Sequence, residues 1–102
     1  MHLVQFFLPL RDNHGEPFGA ASFAEVRRDL TERFGGVTTY LRAPAQGLWE
    51  DEEGDLCRDE VVLFEVMAEA LDVPWWRDYR ARLERRFHQQ EVLVRATPAQ
   101  LL

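Results

Sequence analysis

The stretch F34-GGVTTYLRAPAQGLWEDEEGDLCRDEVVLFEV-M67 decides the fold. Gly35-Gly36 stops whatever helix precedes it, because glycine accepts the left-handed backbone of a helix C-cap. Val37 to Arg42 is β-branched and aromatic and predicts a strand, which Ala43 to Gly47 bends or breaks. Leu48-Trp49 resumes it. The acidic turn Glu50 to Asp55 then reverses the chain at Gly54, and Leu56-Cys57 lead into Asp59 to Met67. Within that return, VVLFEVM is nearly continuous in apolar residues, the pattern of a strand inside a sheet, and Glu65 alone interrupts it.

On the N-terminal side, Leu3 to Leu8 predicts a strand closed by Pro9 and the turn chemistry of Arg11 to Pro17. Ser22 and Glu25 have the spacing of a capping box. Phe23, Val26, Leu30 and Phe34 follow at helical spacing as one apolar stripe. On the C-terminal side, Asp72 predicts the N-cap of a second helix, with Pro74 in its first turn and Trp76, Tyr79, Leu83 and Phe87 as its stripe. Arg82, Arg85, Arg86 and His88 crowd its C-terminal half, where the helix dipole favours positive charge. Glu91 to Ala96 predicts a last strand, ended by Thr97-Pro98.

The order strand, helix, strand, strand, helix, strand predicts one α+β domain over residues 1–102 with the ferredoxin-like βαββαβ fold. Right-handed crossovers place the first and third strands at the centre of a four-stranded antiparallel sheet, with both helices on one face. Alternation along the strands assigns Val4, Phe6, Leu8, Val37, Thr39, Leu41, Val62, Phe64, Val66, Val92 and Val94 to the helix side. The other side then carries Leu3, Gln5, Phe7, Thr38, Tyr40, Arg42, Val61, Leu63, Glu65, Met67, Leu93 and Arg95. That second face is too apolar to sit in water, so a homodimer through the sheet faces is expected.

This element order resembles the dimeric α+β barrel proteins from Leu3 to about Ala96. The resemblance implies a fold and a mode of pairing and carries no catalytic residues. In detail, GGVT at Gly35–Thr38 followed by GLWEDEEGD at Gly47–Asp55 is similar to the glycine-threonine strand and G-x-W hairpin of uncharacterised small bacterial proteins. That too implies a fold rather than an activity.

The chain has 102 residues and a formal charge of -6, which argues against nucleic acid and anionic membranes as partners, since both reward clustered positive charge. All twelve cationic residues are arginine, a compositional bias rather than twelve functional choices. One cysteine, Cys57, excludes an internal disulfide and a CxxC pair and fits a reducing cytoplasm. No apolar run approaches the length of a membrane helix.

Gln5, Tyr40, Arg42, Glu65 and Arg95 fall together on the open face and are the candidate ligand-binding group, with Trp49 on the hairpin and His14 in the first loop as further candidates. Glu65 has two readings. Desolvated by Leu63 and Met67, it would have a raised pKa and serve as a general base, with Arg42 or Arg95 holding an anionic or enolisable small molecule. Alternatively it pairs with Arg95 or Arg42 and fixes register. His2, His14 and His88 lack metal-ligand spacing, the acidic turn does not match a calcium loop, and no cofactor motif is present, so neither metal nor cofactor is expected. The acidic turn is instead expected to reach the basic second helix, in the same or a partner chain. The leading expectation is a small dimeric binding or structural module. The alternative is a cofactor-independent enzyme, monooxygenase- or isomerase-like, using the open face.

Overall fold

In the computed structural model, residues 1–39, 45–50 and 56–102 are described, with the backbone alone given for 45–50 and 56–60. Seven elements follow in chain order: β1 (His2–Pro9), α1 (Ala20–Phe34), β2 (Thr38–Thr39), β3 (Ala45–Glu50), β4 (Leu56–Ala68), α2 (Val73–Arg86) and β5 (Val94–Pro98). The sheet runs β2-β4-β1-β5, and β3 also pairs with β4. Every pairing is antiparallel. Val61 has Pro9 of β1 on one side and Ala45 of β3 on the other, so β3 shares the outer side of β4 with β2. The sheet is therefore four strands wide and ferredoxin-like, with β1 and β4 at its centre. Beyond Val61, β4 continues with β3 alone, as a two-stranded arm past the end of β1.

Period-two alternation sorts the central strands cleanly. Val4, Phe6 and Leu8 of β1 and Val62, Phe64 and Val66 of β4 are buried on one face, where they meet the apolar stripes of both helices: Phe23, Val26 and Leu30 from α1, and Trp76, Tyr79, Leu83 and Phe87 from the α2 region. Phe6 and Phe64 face each other across β1 and β4 with stacked rings 5.2 Å apart, and Phe23 stacks on Phe64 at 6.5 Å. No charged side chain is buried among the described residues.

The two helices are also tied to each other through polar groups at the rim of the core. Asp29 of α1 accepts from the Tyr79 hydroxyl at 3.0 Å and from Arg86 at 2.9 Å. Arg33 bridges to Asp72 at 3.0 Å and lies over the Trp75 ring.

Boundaries depart from the expected pattern in several places: β3 already begins at Ala45, inside the segment expected to bend or break the strand before Leu48. Helix α1 starts at Ala20 with Gly19 as its N-cap and no side-chain cap, so Ser22 lies inside the first turn, where its N–H bonds the Gly19 carbonyl. The capping box is not formed. Strand β5 begins three residues later than the alternation suggested and includes Thr97 and Pro98, because the Val92 N–H is taken by the Glu84 carboxylate at 2.9 Å and the segment before Val94 is held by the end of α2 rather than by β1. Two expected caps are met: Gly35 closes α1 with φ 82°, and Asp72 caps α2 through the Trp75 N–H at 3.2 Å.

Candidate functional site

Among the described residues, nothing covers the face of the sheet away from the helices. Register, which alternation alone leaves free, brings residues of four strands into one row across it. Thr38 of β2 stands opposite Glu65 of β4, Glu65 opposite Gln5 of β1, and Gln5 opposite Arg95 of β5. The side chains follow the backbone. Gln5 Nε2 donates to Glu65 Oε1 at 2.6 Å, and Arg95 Nε donates to Gln5 Oε1 at 3.1 Å. The Gln5 amide thus uses its two ends in opposite senses, giving a proton to a carboxylate and receiving one from a guanidinium. Arg95 is fixed on its other side by Phe7, whose ring centroid lies 5.2 Å from the guanidinium carbon.

Three of the expected site residues are therefore joined. The amide of Gln5 is interposed between Glu65 and Arg95, in place of a direct ion pair between those two; the alternative pairing of Glu65 with Arg42 falls outside the described residues. Apolar groups border the row. Leu3, Phe7 and Leu63 are half-buried and Met67 is 41% exposed, whereas Leu93, expected on this face, precedes β5, has no place in the sheet register and is 54% exposed. Tyr40 and Arg42, the side chain of Trp49, the side chain of Cys57 and the turn over 51–55 lie outside the described residues.

His14 is placed elsewhere. It sits in the loop between β1 and α1, where Asp12 Oδ1 accepts the N–H groups of His14 at 2.8 Å and Glu16 at 2.9 Å. Those backbone donors hold the Asp12 carboxyl below the usual carboxylate range. Gly15 closes the turn with φ 81°. The loop is anchored to the helix layer by Phe18, whose ring packs edge-on to Phe87 at 5.0 Å, and by Asn13, which reaches the His88 carbonyl at 3.4 Å. His14 thus lies by the C-terminal end of α2 and makes no described contact with the row.

A second concavity was not foreseen. A groove of about 200 Å³ runs between the first half of α2 and β5, floored by Val4, Trp76, Val94 and Ala96, with Arg77 and Arg80 on its helix side. The buried indole N–H of Trp76 has no acceptor among the described residues. The signal that would have found this groove is the position of β5, and the sequence pattern set that strand three residues early. Among the described residues, no group of three His, Cys, Asp or Glu is arranged to hold a metal ion, and no helix is long and apolar enough to cross a membrane.

No family model matches the chain, and no curated protein matches it in sequence. Solved structures do match its fold. A phage SAM lyase in complex with S-methyl-5'-thioadenosine superposes with TM-score 0.63 at 16% identity, over 94% of this chain and 79% of that one. The divalent cation tolerance protein CutA1 from Thermus thermophilus gives 0.63 at 13% identity, over 97% of this chain and 84% of that one. The phage SAM lyase in its apo state gives 0.62 at 14% identity, over 94% and 78%. At such identities the likeness is one of fold: this chain has the small α+β architecture of those proteins.

Proposed function

We propose that this chain is a self-associating binding or structural module that works without a cofactor, and that a second copy packs on its open sheet face. One observation carries the reading: a sheet face, uncovered among the described residues, on which Leu3, Phe7, Leu63 and Met67 flank the linked row Arg95, Gln5 and Glu65. Removing such apolar surface from water stabilises association by about 25 cal/mol per Å². The row gives the contact specificity, because a partner face must match its hydrogen bonds or leave them unpaired. A small anionic molecule held between two copies by the remaining donors of Arg95 is the form that binding would take.

The test uses Met67, which a covering copy would shield. We expect peroxide to oxidise Met67 several-fold more slowly at high protein concentration than at high dilution, and Leu63→Lys to abolish that protection. Equal oxidation rates at all concentrations would overturn the reading.

A second reading keeps the same row and makes it catalytic, in a cofactor-independent enzyme of the monooxygenase or isomerase type with Glu65 as proton acceptor. It is supported by the placement of a carboxylate, an amide and a guanidinium in one line on a partly apolar face. The lyase among the structural neighbours suggests S-adenosylmethionine as a first probe. Consumption of it that Glu65→Gln removes without changing the oligomeric state would favour a catalytic row over the first reading, with a lyase in place of the monooxygenase or isomerase type.

A further inference from the structure

We infer that the free edge of β5, together with the groove beside α2, is a strand-addition site for an extended acidic peptide segment of a partner protein. This rests on a different surface from the open sheet face and does not depend on that reading. β5 ends the sheet, with β1 on one side and no strand on the other among the described residues. The direction of its backbone groups follows from the register. Ala99 donates to the Met1 carbonyl at 3.0 Å, and His2 stands opposite Pro98, which makes Met1 and Ala99 a hydrogen-bonded pair. Such pairs alternate along an antiparallel ladder. Thr97 and Arg95 therefore direct their N–H and C=O toward β1, while Val94, Ala96 and Pro98 direct theirs outward. Proline falls at an outward position, where its missing N–H removes nothing from the ladder.

The same residues that present outward backbone groups also line the groove. Val94 and Ala96 form its strand side, and Arg77 and Arg80 stand across from them on α2. Among the described residues Arg77 makes no ion pair, and Arg80 has only a 3.9 Å approach to Glu84. An added strand would bond the four N–H and C=O groups of Val94 and Ala96 and set alternate side chains against α2. Two arginines at that point select carboxylates and oppose a basic segment, which matters in a chain whose net charge is -6. Backbone bonds supply the affinity and the arginines choose the partner.

The probe is acetyl-Glu-Val-Glu-Val-Glu-amide, titrated into the ¹⁵N-labelled full chain at moderate salt, with its lysine-for-glutamate counterpart as control. Saturable shifts centred on the Val94 and Ala96 amides, with slowed hydrogen exchange there, are expected for the acidic peptide alone. Arg77→Glu combined with Arg80→Glu should weaken binding by about tenfold or more. Ala96→Pro removes an outward N–H without touching the β1 ladder and should abolish binding while the circular dichroism spectrum is retained. Three results would overturn the inference: equal binding of the lysine peptide, no saturable shift at millimolar peptide, or Val94 and Ala96 amides already protected in the free chain and exposed on dilution. The last would show that a second copy occupies the edge.

Discussion

Tyr79 joins the core to the polar seam between the helices. Its ring is fully buried while its hydroxyl donates to Asp29, which also receives Arg86. Burial, and then the charge of Asp29, raise its pKa well above the ordinary 10.0. Burial works against the charge on Arg86, but the hydrogen bond and charge of Asp29 outweigh it and raise that pKa. The folded protein holds Tyr79 neutral, whereas the unfolded chain releases the proton at its ordinary value. Stability from this group is thus complete below about pH 10 and falls as pH rises from there toward the folded pKa. Urea midpoints measured from pH 8 upward should show that fall, and Tyr79→Phe should flatten it. Asp29→Ala leaves a buried hydroxyl and a half-buried guanidinium without their acceptor and should cost about 1–3 kcal/mol, with Asp29→Asn costing less. Of the open-face candidates, Gln5, Glu65 and Arg95 were legible because each alternates onto one face. Their linkage was not legible, since it depends on register, and the strand carrying Arg95 begins later than its own residues suggest.

At the scale of elements, caps and turns decide where each piece begins. The Ser22 and Glu25 pattern is that of a capping box, yet the chain enters α1 through Gly19, and Ser22 is carried into the first turn. Ser22→Ala should therefore change stability by less than about 0.5 kcal/mol, whereas Asp72→Ala, which removes a formed cap, should cost about 1 kcal/mol. Thermal unfolding of the two variants checks this, and a larger loss for Ser22→Ala would contradict the assignment. α2 ends in a motif that sequence reading missed: Gln89 N–H bonds the Glu84 carbonyl at 2.9 Å and His88 N–H that of Arg85 at 3.4 Å, with His88 at φ 52°. Glycine ordinarily takes this left-handed position, so nothing in the sequence flagged the histidine. The late start of β5 has the same origin, because this turn and the Glu84 bond to Val92 use up the residues that alternation assigned to the strand. His88→Gly should raise stability by about 0.5–1 kcal/mol in the same unfolding measurement.

For the whole molecule, the readable feature was the contrast between VVLFEVM, apolar on both sides, and strands that alternate. It marked β4 as an inner strand, and the βαββαβ order with right-handed crossovers set it beside β1 at the centre, with the helices on one face and the other left open. Long-range order of that kind follows from burial, which a sequence displays. In the proposed dimer the cover is a property of two molecules, which one sequence displays only as an excess of apolar side chains around Glu65. Whether a second copy supplies the cover is tested directly by sedimentation equilibrium of the wild-type chain beside Leu63→Lys. A covering copy gives a wild-type mass near twice 12.0 kDa at micromolar concentration and a folded 12.0 kDa monomer for Leu63→Lys. A 12.0 kDa wild-type particle at every concentration, or a dimer that Leu63→Lys leaves intact, would contradict it.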